Sequence, residues 1–189
     1  MDETVHPVIL RVPESADRLD RRNQAAFLSQ YARRALAASA EKTGVRLDRL
    51  DKAENGAPLP SNGFYWSVTH KPAYVGGVVA PVPIGLDIEK IRPVRDGMHA
   101  KVGSPAEWAL SEEDPVHLFF RFWTAKEAVL KATGKGIVDL SRCVVRRVTA
   151  PDRLVLEYQG RTWEVAQVFF DRYMASVVEE GMAVVWDVC

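Results

Sequence analysis

The chain reads as an α+β protein of two similar halves, and three observations carry that reading. Short apolar runs bounded by Gly, Pro and Asn recur at strand length. Two long helical stretches interrupt them, one near the start and one past the middle. The order is strand, helix, strands, then helix, strands, with a join near residues 81–83. The expected division is therefore 1–82 for an N-terminal α+β half and 83–189 for a C-terminal one. No internal sequence repeat or low-complexity segment accompanies it.

In chain order, the first element is a short apolar strand at 8–12. Ser15 has an N-capping side chain for a helix from about 16 to 42, which stops at Gly44. Residues 45–52 read as a strand and 53–62 as a turn rich in Gly, Pro and Asn. Short strands follow at 64–69, 74–79 and 84–88. Residues 92–113 are mixed loop and short helix, including Ser104-Pro105-Ala106-Glu107-Trp108. Asp114 as N-cap, Pro115 at the first helical position and Gly134 just past the end predict a second helix over about 115–133. Strands at 143–149, 153–158, 162–170, 173–179 and 182–187 complete the chain.

Composition narrows the class. The 189 residues can bury a core as one compact domain or two small halves. Lys and Arg total 25 and Asp and Glu total 25, so no whole-molecule field favours nucleic acid. The opening MDETVHPVILRVPES has neither a basic n-region nor an apolar h-region, and no apolar run reaches membrane-spanning length. Cys143 and Cys189 make neither a disulfide framework nor a zinc spacing, which fits a reducing cytoplasm. GxSxG, Walker, GxGxxG and HExxH patterns are absent.

The chemistry lies in two acidic segments. In IGLDIEK, Asp87 and Glu89 are two apart and share a face on a strand. Such a pair is often merely solvated, but Asp87 interrupts an apolar run. A buried carboxylate there needs a partner, a metal or a raised pKa. In FWTAKEAVLKATGKG, Glu127 and Lys131 lie one helical turn apart at the edge of an apolar arc of Phe122, Trp123, Val129 and Leu130. Alone they would be a surface ion pair worth roughly 0.2–0.5 kcal/mol. Lys126 falls inside that arc, so it either snorkels or meets an anion in a cleft, and the anion is the expectation. Asp87, Glu89 and Glu127 together would form an oxygen site for a hard cation such as Mg²⁺, with lysines nearby for phosphate. Lys135, between Gly134 and Gly136, is either a partner of the helix dipole or a substrate contact. His70 by itself reads as a structural histidine.

These segments resemble the paired signature of the 4′-phosphopantetheinyl transferases. GLDIE and WTAKEAVLK match G-[IV]-D-[ILV]-E and [FW]-[CST]-x-K-E-[AS]-x-x-K at every fixed position. Length and upstream motifs resemble the larger, pseudo-dimeric Sfp-type branch. FYWSVTHKPAY resembles that branch's strand ending in Ser-His, with Thr69 where serine is usual and His70 matching. NGAPLP resembles its Gly-Lys/Arg-Pro turn, with Ala57 replacing the basic residue and removing one expected contact to the nucleotide. The resemblance spans about residues 55–140.

The resemblance implies an α+β pseudo-dimer with its active site between the halves, expected here as a cytoplasmic monomer. It implies transfer of the 4′-phosphopantetheine arm of coenzyme A to a serine of an apo acyl or peptidyl carrier protein, with release of adenosine 3′,5′-bisphosphate. Asp87, Glu89 and Glu127 would hold Mg²⁺. Lys126 and Lys131 would grip phosphate oxygens, Thr69 and His70 would meet the 3′-phosphate, and Arg34 and Lys135 would touch coenzyme A. Glu127, directly or through a water on the metal, and Lys131 are the expected catalytic residues. An acidic carrier is expected on Arg92, Arg95 and Lys101, around Met98 and Val102. Two other readings stay open: another metal-dependent phosphodiester or pyrophosphate enzyme using the same carboxylates, and a non-catalytic module that binds coenzyme A or a carrier.

Overall fold

A computed structural model describes residues 4–189. Strands β1 (Thr4–Val5) and β2 (Val8–Arg11) lead through a 3₁₀ turn at Glu14–Arg18 into helix α1 (Arg21–Thr43). The predicted cap shifts. Ser15 lies inside the 3₁₀ turn, and Asp20 caps α1 by accepting from the amides of Arg22 and Asn23. A carboxylate serves this role at least as well as a hydroxyl and favours the positive end of the helix dipole. Gly44, at φ 72°, closes the helix as expected.

Strands β3 (Tyr65–His70) and β4 (Tyr74–Ala80) form an antiparallel hairpin. Helix α1 lies against it through Ala32, Ala35 and Leu36. The approach is very close: a Cβ at Gly77 would stand 2.2 Å from the Leu36 amide nitrogen. The strand expected at 45–52 does not form. Leu47 and Leu50 pack beside Leu36 and Trp66, while the backbone makes only an isolated bridge from Lys52 to Pro58. Apolar contact holds the segment, which joins no sheet.

Strand β5 (Leu86–Lys90) is followed by the short helices α2 (Met98–Val102) and α3 (Pro105–Trp108) and the long helix α4 (Pro115–Ala132). A 3₁₀ turn at Ile137–Arg142 leads to β6 (Val144–Ala150), β7 (Arg153–Tyr158), β8 (Arg161–Phe170) and β9 (Tyr173–Val178). These strands make an antiparallel sheet of order β5-β9-β8-β7-β6, with α4 across it. Asp114 accepts from the amides of Val116 and His117, with Pro115 at the first turn, as the sequence predicts. Gly134, at φ 65°, follows the last turn.

The expected strand at 182–187 is instead two short ones, β10 (Ala183–Val184) and β11 (Asp187–Val188). Glu180 and Gly181, both at positive φ, turn the chain away from β9. β10 then pairs in parallel with β1, and β11 with β2, giving the first sheet the order β11-β2-β4-β3. One apolar cluster takes in Val78 and Ala80 of β4 with Phe122 and Val129 of α4, Leu156 of β7 and Val177 of β9, so a common core underlies both large sheets. Among the described residues, no helix is long and apolar enough to cross a membrane.

Candidate active site

The edge of β5 meets the end of β3 where the two large sheets adjoin. The Leu86 amide donates to Ser67 Oγ at 3.1 Å, and Thr69 Oγ1 donates to Asp87 Oδ1 at 3.3 Å. Register places Asp87 opposite Ser176 and Glu89 opposite Met174, so both carboxylates project from one face of β5. Helix α4 covers that sheet, and its back is pinned by a buried polar network. Arg121, fully enclosed, donates to Gln167 Oε1 at 2.8 Å and pairs with Glu113. Gln167 Nε2 donates to Ser176 Oγ at 2.8 Å, and Thr124 Oγ1 lies 2.7 Å from the same hydroxyl. Because Ser176 faces Asp87 across the sheet, this network fixes α4 relative to the acid pair.

Trp123, Glu127 and Lys131 follow one another at successive turns of α4 and form its partly exposed stripe. They line a cleft of about 430 Å³ with Thr69, His70, Lys71, Asp87 and Glu89. A second space of about 220 Å³ continues past Lys131 to Lys52, Ala57, Gly134 and Lys135. Asn55 Nδ2 donates to the Gly134 carbonyl at 3.1 Å, tying that turn to the end of α4. On the other side, a groove of about 320 Å³ runs from Glu89 and Trp123 along Arg92, Arg95, Met98 and Phe119.

Charge in the cleft is unevenly answered. Lys131 Nζ lies 2.7 Å from Asp87 Oδ1 and donates to the Leu86 carbonyl at 2.9 Å. Asp87 Oδ2 is buried with no hydrogen-bond partner. The Glu127 carboxyl is pushed above its ordinary value, first by burial and then by the charge of Asp87, against the opposing pull of Lys131 and Lys71. An orphaned buried oxygen beside a carboxylate that resists ionising is a site short of positive charge, and the hard oxygen donors suit Mg²⁺. The residues present fit that ion, although among those described no three acidic, His or Cys groups already form a preassembled cluster. His70 stands at the mouth; packing on one side, and then Lys131, Lys71 and Lys52, push its pKa down.

Most of the expected residues meet here: Asp87, Glu89, Glu127, Lys131, Thr69 and His70 share one cleft, and Lys135 lies along its continuation. Two do not. Lys126 is fully buried away from the cleft, where its ammonium lies 2.6 Å from Glu107 Oε1 and donates to the Val102 carbonyl. The anion that it meets is a side chain of the protein, so Lys126 cannot grip phosphate as expected. Arg34 lies on the exposed face of α1, over the ring of Tyr31, and does not line the cleft. Sequence reading missed Lys52, Lys71 and Glu107. The Ser-x-x-Glu capping box around Glu107 was a legible signal, and that box is formed. Nothing local marked its reach to Lys126. Cys143 offers no alternative nucleophile, since burial pushes its thiol up to about 12.

A site of three carboxylates and a lysine from β5 and α4, completed by Thr69 and His70 of β3 and open to a lysine-lined space on one side and a basic, apolar groove on the other, defines a phosphoryl-transfer class. The sequence pattern of the 4′-phosphopantetheinyl transferase superfamily matches residues 83–178, just over half the chain, and the chain belongs to that superfamily. It is 27% identical over 173 residues to a putative 4′-phosphopantetheinyl transferase of Haemophilus influenzae, covering 86% of this chain and 73% of that one. It is 35% identical over 91 residues to a 4′-phosphopantetheinyl transferase of Bacillus pumilus, covering 44% and 38%. With the transferase Sfp of Bacillus subtilis the identity is 29% over 102 residues, covering 51% and 45%. The matches to the two Bacillus proteins thus span less than half of those relatives.

Proposed function

We propose that this protein transfers the 4′-phosphopantetheine arm of coenzyme A to a serine hydroxyl of an apo acyl or peptidyl carrier protein, as a member of the larger, Sfp-type branch. The observation that carries the reading is the single cleft in which Asp87 and Glu89 of one motif meet Glu127 and Lys131 of the other, with Thr69 and His70 contributed by the first half. The serine oxygen bonds to the β-phosphorus of coenzyme A. The bond from that phosphorus to the bridging oxygen breaks, and adenosine 3′,5′-bisphosphate leaves.

Asp87, Glu89 and Glu127 would hold Mg²⁺, which supplies charge neutralisation on the pyrophosphate and the leaving group. Glu127 takes the serine proton. Lys131, partly exposed and one turn further on, holds phosphate oxygens and aligns the phosphorus for in-line attack. Thr69 and His70 face the 3′-phosphate. Lys52 and Lys135 supply cations in the space where Ala57 supplies none. The carrier's serine arrives along the groove of Arg92 and Arg95. We place the protein in the cytoplasm as a monomer, divided at 1–82 and 83–189, with its final strands returned to the first half.

Chromatographic assay of adenosine 3′,5′-bisphosphate tests the reaction. Its release is expected only when coenzyme A, Mg²⁺ and an apo carrier are all present. Release without a carrier would favour a pyrophosphate-cleaving enzyme instead.

A further inference from the structure

Lys71 stands in the cleft with no part in the chemistry above. It follows His70 directly after β3, and its ammonium lies 2.6 Å from Glu89 Oε1. The pair is substantially shielded, with 30% of the lysine side chain and 12% of the glutamate exposed, so solvent screens it less than a surface pair. The two acids of β5 are therefore unlike. Asp87, paired with Lys131 through one oxygen, keeps the other buried without a partner, whereas Glu89 pairs with Lys71 of the neighbouring strand end and has no such orphaned buried oxygen.

An ammonium paired with a carboxylate neutralises part of the charge that a divalent cation would seek there, and it repels a second positive charge. We propose that Lys71 is a displaceable counter-ion for Glu89, which competes with the divalent metal and so sets the metal affinity of the cleft. The inference rests on the reading of Asp87, Glu89 and Glu127 as the metal site. Displacement leaves the Lys71 ammonium tethered in the same cleft, beside His70 and Lys131. There an incoming pyrophosphate gives it a new partner. Metal and coenzyme A thus bind cooperatively, because the anion stabilises the lysine that the metal displaces.

Mn²⁺ binding, followed by electron paramagnetic resonance without any carrier, tests this directly. Lys71→Met is expected to bind Mn²⁺ about tenfold more tightly than wild type. The gain should vanish when both proteins also carry Glu89→Gln, because the competition is for that carboxylate. Coenzyme A should tighten Mn²⁺ binding to wild type more than to Lys71→Met. Equal Mn²⁺ affinity in Lys71→Met and wild type, or an undiminished gain in the Glu89→Gln background, would overturn the inference while leaving the metal site standing. Failure of both proteins to take up Mn²⁺ would remove the metal site itself, and this inference with it.

Discussion

At Asp87 one carboxylate oxygen is held by Lys131 and Thr69, while the other is buried and bare. Asn at this position keeps the shape and removes the charge. Asp87→Asn is expected to lower transfer at least about a hundredfold, roughly 2.7 kcal/mol of barrier, with the thermal midpoint unchanged or raised. A loss of transfer that tracks a fall in melting temperature would mean that Asp87 is structural. Lys126 calls for the opposite pattern. Breaking its buried pair with Glu107 by Lys126→Met should destabilise the fold by about 3 kcal/mol, and adding Glu107→Gln should recover much of that. Burial works to raise the Glu107 carboxyl, but Lys126 and the amides of Ser104 and Val145 outweigh it and hold the group below its ordinary 4.5. A depressed folded pKa gives stability that is present above the unfolded value and is lost as pH falls through the folded one. Acid titration of the melting temperature should therefore show a steeper fall below pH 4.5 for wild type than for the double variant. The sequence did mark Lys126 as out of place on an apolar arc. It could not say which anion answered it, since Glu107 lies nineteen positions away in sequence (126 − 107) and reaches it only through the packing of α3 on α4.

Helix α4 and strand β5 set the distance between the two motifs, and Gly85 permits their approach. A Cβ there would stand 1.8 Å from the Ala128 carbonyl oxygen, one residue after Glu127. Gly85→Ala must push α4 off the strand. The expected cost is about 1–3 kcal/mol of stability, with a fall in transfer beyond that of Gly136→Ala, whose added methyl meets open space. Equal effects of the two substitutions in melting and turnover assays would contradict this close contact. Elements with strong local punctuation were legible. Asp114, Pro115 and Gly134 bounded α4 almost to the residue, and the apolar runs in 153–158 and 162–170 located the long strands. Elements whose boundaries depend on partners were not. Residues 45–52 have strand-like leucines that pack on Leu36 and Trp66 without joining a sheet, and the tail divides because its two short strands pair with β1 and β2 rather than with β9.

Across the whole molecule, charges sum to zero, yet the groove beside Glu89 gathers Arg92 and Arg95 around Met98, Phe119 and Trp123. A local basic and apolar surface suits an acidic partner without a global field. Reversing both arginines to Glu should raise the KM for an acidic carrier, more strongly at low salt, while coenzyme A affinity stays unchanged. Loss of affinity for both substrates would place these arginines on the nucleotide. The motifs named every polar member of the central cleft except Lys71, because side chains that meet a shared ligand are fixed in type and spacing. Lys52 fills space beside Ala57 from a neighbouring segment, a relation that appears only once the turn is folded against α4. Transfer to a carrier serine is read from the intact mass of an apo carrier. After incubation with coenzyme A and Mg²⁺, wild type should add one phosphopantetheine per carrier, and none once the carrier serine is replaced by alanine. An unmodified mass across a panel of apo acyl and peptidyl carriers, or equal modification by Asp87→Asn, would contradict the account.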